Sequence, residues 1–438
     1  MYHRALEMRI NWFSPLPPSH TEIAQSTWRL LPALCAAAEV TLWTDQEHWH
    51  SELERYAKVR RFDPANIDWA ALNNVDATFY NIGNNSKFHS AIWRVCREHP
   101  GFAIMHDVFM HDSVAHDCKV RNDRAAYLSL MQSIYGALGR RDAEWHWDGI
   151  LALDQMSRVY SCIPYILQSS LGAIVHSRMA QHALLRELQL PVARAPLPFP
   201  AKNLPAPHSS EPPWQLVAFG YFGANRCLDQ LLTALSYLDN RRLFRLHIYG
   251  ELNENADPVA RLIQTLHLEG SVVIHGFVPE ARLEAALSAA HIAVNLRYPT
   301  KGEASASQLR IWSHGLPSLV TRIGWYAELP SDTVAFVRPD FMVEDICTYL
   351  REYASAPERF VELGMNGYRY LATRHSPQQY AAKIVEVAAN AMAHRRSLSA
   401  LQFTTRAAQE RQAWLETGAL PDYDSRLASV IQDVSGGD

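Results

Sequence analysis

Short apolar runs ending in polar residues alternate with segments of helical period along most of this chain, and that alternation limits the possible folds more than any other feature. "MRINWFS" (8–14), a helical pattern from about Ile23 to Ala38, and "EVTLWTD" (39–45) make a first β-α-β unit. "DATFYNIG" (76–83), a helix through "SAIWRVCREH", "FAIMHD" (102–107) and "LGAIVHS" (171–177) extend it. Strands apolar at successive positions are buried on both faces, as in a parallel sheet flanked by helices.

Between Pro191 and Pro213 the stretch "PVARAPLPFPAKNLPAPHSSEPP" has no periodicity and many helix-breaking prolines. Beyond it the alternation restarts with "WQLVAFG" (214–220), "FRLHIYG" (244–250), "SVVIHGF" (271–277), "HIAVNLR" (291–297) and "PSLVTR" (317–322), separated by helical segments. At 438 residues the chain suits two domains of roughly 150 to 200 residues each. The predicted organisation is α/β: a Rossmann-like domain over 1–195, a link over 196–213, a second Rossmann-like domain over 214–375, and helices over 376–438 packing back on the first domain. The two domains are expected to face each other across a cleft. "RAAQERQAWLE" in the tail reads as a solvated amphipathic helix, and Met1–Glu7 as a leader or an upstream start ahead of "MRINWFS".

Lys plus Arg (41) nearly balance Asp plus Glu (45), for a net charge of -4, so no global basic field exists to hold nucleic acid. Cys35, Cys96, Cys118, Cys162, Cys227 and Cys347 form no C-x-x-C pair, and neither a signal peptide nor an apolar run of about 18 residues occurs. Reduced thiols in a cytoplasmic protein are the expectation.

Open parallel sheets bind ligands beyond the carboxyl ends of their strands. In "WQLVAFGYFGANRCLDQLL" Gly220 and Gly223 sit in a turn after a strand, with Arg226 at the start of the next helix. A glycine turn, a helix N-terminus and a cation suit a phosphate; a tight turn with a surface arginine is the alternative. "NLRYPTKGEASASQLRIWSHGLPSLVT" (295–321) turns at Gly302 and opens a helix with the small residues Ala304, Ser305, Ala306 and Ser307. Small side chains let a diphosphate approach the unpaired N–H groups of a first turn. Glu303 suits sugar hydroxyls attached to that diphosphate, or is a capping acid. In "HDVFMHDSVAHD" the His-Asp pairs at 106, 111 and 116 are five residues apart, a spacing that rotates about 140° on a helix and switches faces on a strand. They therefore do not converge on a metal; His106 alone ends a strand.

From Phe219 to Pro330 the order of motifs resembles the donor-binding domain of the retaining family 4 glycosyltransferases, which have the GT-B fold of two facing Rossmann-like domains. "FGYFGANRCLDQLLTAL" is similar to the family's glycine turn and basic residue, "LHIYGE" to its next strand and glycine, and "VVIHGFVP" to its base-holding loop. "GEASASQLRIWSHGLPSLVTRIGWYAELP" resembles its acidic donor motif. "SPLPPSHTEIAQSTWRLLPAL", "YNIGNNSKFHSAI", "FAIMHDVFMHD" and "LGAIVHSRMAQHAL" resemble members from bacterial surface-polysaccharide clusters. The chain departs from the pattern at two places: the second of the family's two glutamates falls on Arg310, and the usual glycine of the first loop is Glu22.

The resemblance implies transfer of a sugar, with retention and without a metal or other cofactor, from a nucleoside diphosphate sugar to a glycan or lipid-linked glycan in polysaccharide biosynthesis. It implies catalytic roles for His106, Glu303 and Arg226, with His106 near the reacting carbon. Gly223, Arg297 and the Ala304–Ser307 segment would hold the donor diphosphate and sugar, and Gly250, Phe277, Val278 and Arg310 the nucleotide. Glu22, Asn84 and Asp107 would lie on the acceptor side; Glu22 would either reach an acceptor hydroxyl or repel a phosphate, and Asn84 and Asn85 serve equally as helix caps. Trp325 and Tyr326 read as core packing rather than sugar stacking. The implied setting is cytoplasmic, with contact to the inner membrane or to other assembly enzymes left open. Two rival readings are a catalytically silent nucleotide- or glycan-binding relative, favoured by Arg310 and Glu22, and a metal-dependent phosphohydrolase, disfavoured by the His-Asp spacing.

Overall fold

The alternation becomes two parallel sheets, each lined by helices. A computed structural model describes residues 8–203, 211–252, 256–393 and 407. Among these the chain divides into two compact units, the first taking in 8–175, 181–195 and 381–393, the second 176–180 and 196–380.

The first unit contains β1 (Arg9–Phe13), α1 (Glu22–Cys35), β2 (Glu39–Thr44), β3 (Lys58–Arg61), α2 (Trp69–Asn73), β4 (Ala77–Ile82), α3 (Ser86–Glu98) and β5 (Phe102–Met105). The helices α4 (His111–Val120), α5 (Arg124–Trp147), α6 (Leu153–Val159) and α7 (Ile163–Ile166) follow, then β6 (Gly172–Val175), α8 (Arg178–Glu187), whose first turn falls in the second unit, and β7 (Val192–Arg194). Its strand order is β3-β2-β1-β4-β5-β6-β7, with every pair parallel. The central strands are buried along their length because helices cover both faces; every residue of β4 is buried. Phe13 stacks on Trp43 with centroids 5.4 Å apart, and Trp43 donates its indole N–H to Asn11 Oδ1 at 2.8 Å, which satisfies two buried polar groups together.

The second unit contains β8 (Trp214–Phe219), α9 (Leu228–Ser236), β9 (Phe244–Tyr249), α10 (Ala256–Thr265), β10 (Val272–Gly276), α11 (Glu280–Ala289), β11 (Ile292–Asn295) and α12 (Ala306–Ser313). After β12 (Ser318–Thr321) and β13 (Ala335–Val337) come α13 (Met342–Ser355), α14 (Pro357–Arg374) and α15 (Pro377–Ala393), the last continuing into the first unit. Strand order is β10-β9-β8-β11-β12-β13, all parallel. Part of the proline-rich stretch is built into this unit: Leu197 and Phe199 are buried with Leu309, Trp312 and Trp325, and Phe199 N donates to His375 O at 2.8 Å. The remainder at 204–210, the leader and the "RAAQERQAWLE" segment lie outside the described residues, save Ala407. Among the described residues no helix is long and apolar enough to cross a membrane, and no cysteine is in a disulfide.

Candidate functional site

In the second unit the sequence order of strands reverses between β8 and β11, and the crevice for a ligand in an open α/β sheet lies at such a reversal, beyond the carboxyl ends. The loops there are 220–227 after β8 and 296–305 after β11. Gly220 must be glycine: its φ is 121°, and a Cβ would lie 2.8 Å from Arg226 Nη2. Gly250, with φ 129°, packs so closely that a Cβ would fall 1.9 Å from Gly220 O. Its lack of a side chain thus supports the first turn. Gly223 has φ -77° and needs no glycine for its backbone.

Arg226 does not begin α9 as expected. It ends a short 3-10 turn, Ala224–Arg226, only 6% exposed, and donates to Phe219 O at 2.6 Å and to Asn295 Oδ1 at 3.5 Å. Arg297 pairs with Glu303 at 2.8 Å. Burial first, and then the charge of Arg297, bring the Arg226 pKa down to about 10. Among the described residues Glu303 is a carboxylate near both guanidinium groups, and the acceptors of Arg226 are neutral oxygens. Tyr326 lies in the same electrostatic neighbourhood, and its buried hydroxyl has no hydrogen-bond partner among the described residues.

Glu303 precedes α12 instead of standing in its first turn. Its carboxylate accepts from Lys301 N at 2.7 Å and Thr300 Oγ1 at 3.1 Å, so it holds the loop as well as Arg297. The cap is Ser305, whose Oγ accepts from Gln308 N at 3.1 Å. The Ala306 and Ser307 amides are left without an acceptor among the described residues, as the first N–H groups of a helix are. Asn295 connects the parts: Oδ1 meets Arg226, while Nδ2 reaches Gln308 Oε1 at 3.1 Å and Ser305 Oγ at 3.4 Å. The sequence did not single out Asn295, Gln308 and Thr300 for these contacts. The signal for Asn295 was available: a polar residue closing the otherwise apolar run "HIAVN", where burial demands partners.

The expected nucleotide residues differ in exposure. Phe277 is 59% exposed just beyond β10, and Tyr221 is 52% exposed just beyond β8, whereas the Val278 side chain is buried and can offer only backbone. Arg310 is also buried, paired with Glu280 at 2.8 Å and Glu284 at 3.7 Å. Burial raises the Glu284 pKa, but hydrogen bonds from His314 and Lys202 and the Arg310 charge outweigh it and bring it to about 2. Arg310 thus anchors α12 to α11 through carboxylates, because a buried guanidinium needs countercharge.

In the first unit His106 directly follows β5, as expected, and its Nε2 lies 3.1 Å from Asn81 Oδ1. Asn81 Nδ2 donates to Phe13 O at 3.0 Å, which fixes Oδ1 as the acceptor and makes His106 Nε2 the donor to it. Asp107 and Asn84 are engaged with the loop: Asn84 N donates to Asp107 Oδ2 at 2.8 Å, and Ser113 N to Asn84 Oδ1 at 3.0 Å. Asn85 caps α3, accepting from Lys87 N. Glu22 pairs with Arg29 one helical face along α1. His111, which the sequence would place at the surface or on the acceptor side together with His116, is fully buried and meets Tyr127 OH at 2.7 Å, while His116 meets Ser86 Oγ at 2.7 Å. The three histidines of "HDVFMHDSVAHD" thus go to three places.

No family model and no curated protein sequence matches the chain. Solved structures do match in shape. Sucrose-phosphate synthase (tll1590) from Thermosynechococcus elongatus has TM-score 0.61 and 15% identity, over 88% of this chain and 99% of that one. Anabaena Alr3699/HepE in complex with UDP-glucose gives 0.61 and 11%, over 87% and 100%. WaaG, a glycosyltransferase involved in lipopolysaccharide biosynthesis, gives 0.55 and 13%, over 86% and 99%. The fold is GT-B. The two Rossmann-like sheets and their helices are those expected from the alternation, and at these identities the likeness concerns the fold.

Proposed function

We propose that the protein is a glycosyltransferase that binds a nucleoside diphosphate sugar at the β8/β11 reversal and transfers the sugar, with retention and without a metal, to a glycan or lipid-linked glycan. The observation that carries this is the buried Arg226 beside Arg297, with Glu303 as the carboxylate near both. A buried positive charge answered by neutral oxygens is stabilised by an anion, and the unpaired amides of Ala306 and Ser307 supply donors for the same anion. As the leaving diphosphate gains charge, these fixed donors stabilise it; losing one would lower the rate roughly a hundredfold. The exposed rings of Tyr221 and Phe277, both just past strand ends, offer faces for a base. The same proposal gives His106 a hydrogen bond to a sugar hydroxyl, and leaves Glu22, Asn84 and Asp107 to shape the first unit's loops. The resemblance to polysaccharide-cluster enzymes supports a glycan acceptor, and WaaG, similar in fold, is a glycosyltransferase involved in lipopolysaccharide biosynthesis.

A thermal-shift panel of UDP, GDP, dTDP and their sugars tests the proposal: a nucleotide at 100 times its dissociation constant should add about 2.7 kcal/mol of stability. No response from any nucleotide by folded protein would refute it. A second reading, a silent nucleotide-binding relative, is favoured by the ion-paired Arg310, which stands where the resemblance puts a donor-binding acid. It predicts the same thermal shifts with no turnover of any donor.

A further inference from the structure

We propose that the second unit also carries a separate site for a small phosphomonoester with an apolar body, in a cavity of about 490 Å³ beside the edge strand β13. Its walls come from the ends of β12 and β13, from α13, and from the first turns of α14, and share no residue with the candidate site above. The volume is within the range of ordinary small-molecule pockets. Val334, Phe336 and Phe360 make an apolar floor, and Arg322, Arg338 and Arg359 stand around it.

The charges do not balance. Arg338 forks onto Asp345, with Nη2 at 2.6 Å from Oδ1 and Nε at 2.9 Å from Oδ2, and Arg359 Nη1 pairs with Glu352 at 2.8 Å. Arg322 has no carboxylate partner among the described residues. Its guanidinium lies over the Phe336 ring, 5.3 Å from the centroid, at the cavity wall. The backbone beneath is fixed, since Arg322 N donates to Val337 O at 2.8 Å. Arg338 and Arg359 also keep N–H donors that their carboxylates do not engage, because each guanidinium has five. A planar fork of uncompensated charge over an apolar floor recognises a tetrahedral oxyanion carried on an apolar group. The one uncompensated charge of Arg322, with the donors left over on Arg338 and Arg359, favours a phosphomonoester over a carboxylate, because a phosphate offers more acceptor oxygens.

Calorimetric titration of the full chain with phenyl phosphate and with inorganic phosphate tests the site. Phenyl phosphate should bind saturably, about tenfold more tightly than inorganic phosphate, and Arg322→Gln should weaken it about tenfold. Arg322 is exposed, so an unchanged melting temperature serves as the folding control, and Arg322→Lys, which keeps the charge without the fork, should lose part of the affinity. Absence of saturable binding, equal affinity for the two phosphates, or equal affinity in Arg322→Gln would overturn the proposal. A matching loss in Arg226→Met would also overturn it, by moving the phosphate to the candidate donor site. Vesicles with and without phosphatidic acid separate the sources of such a headgroup: Arg322-dependent cosedimentation supports a lipid, and binding of phenyl phosphate alone supports a soluble ligand.

Discussion

Replacing Arg226 with methionine separates a ligand-binding cation from a structural strut. Without a bound anion the charge is unfavourable: burial first, and then Arg297, bring the Arg226 pKa down to about 10, a cost on the order of 3 kcal/mol. Against this stands the 2.6 Å hydrogen bond to Phe219 O, worth about 1.5–3 kcal/mol for a charged donor. The two nearly cancel, and methionine fills the vacated space with a flexible apolar chain. Arg226→Met should therefore shift stability by no more than about 1 kcal/mol, about 2–4 °C in a domain of this size. Ligand binding should respond differently. Loss of one charge-assisted donor to a diphosphate weakens binding by about 2 kcal/mol, roughly thirtyfold. At a concentration 100 times the wild-type dissociation constant, the ligand's stabilisation should fall from about 2.7 to below about 1 kcal/mol. Thermal melts of both proteins with and without UDP, GDP and dTDP measure both quantities. A large loss of stability without ligand would make Arg226 a strut, and an undiminished ligand shift would remove the diphosphate from this loop.

Ser305→Ala removes the α12 cap and an Asn295 contact, and should lower stability by about 1 kcal/mol in urea titrations while weakening nucleotide binding. Gly250→Ala would force a Cβ against Gly220 O; a loss on the order of 3 kcal/mol is expected, and wild-type urea midpoints would contradict the packing described. Arg310→Ala should lower stability by about 1–2 kcal/mol with little change in nucleotide affinity, since Arg310 is paired with Glu280 and Glu284; the reverse pattern would restore it to the nucleotide site. Burial lowers the pKa of His89, His111 and His375 to about 4 each. Their folded pKa lies below the unfolded value near 6.5, so the unfolded chain takes up protons first: stability is full above about pH 6.5 and falls toward pH 4, by up to about 1.4 kcal/mol per pH unit for each. Urea midpoints that stay flat between pH 7 and 4.5 would contradict this.

The fold was legible because the strands are buried on both faces, and "ATFYNI" or "WQLVAF" carries its burial in its composition. The strands missed were of another kind. β3, "KVRR", is an edge strand with no fully buried residue, and β7 and β13 are three-residue edge strands, too short to show a period, each pairing with the strand before it. Loop positions near the site were legible too, since glycine turns and strand ends show in one dimension. Partners were not: that Arg226 turns back to Phe219 O, that Glu303 ties its own loop, and that Arg310 is held by α11 depend on contacts from 3 to 30 residues away. Ser305 rather than Glu303 caps α12 because a hydroxyl in extended backbone reaches the Gln308 amide, a choice made by local geometry among several polar residues.

Proton NMR of the full chain incubated with UDP-, GDP- and dTDP-sugars, with and without a glycan acceptor and EDTA, tests the central claim most directly. The account predicts that one donor is consumed, that its nucleoside diphosphate is released, that the product keeps the donor's anomeric configuration, and that EDTA makes no difference. Binding of a nucleotide with no donor consumed across the panel would contradict it.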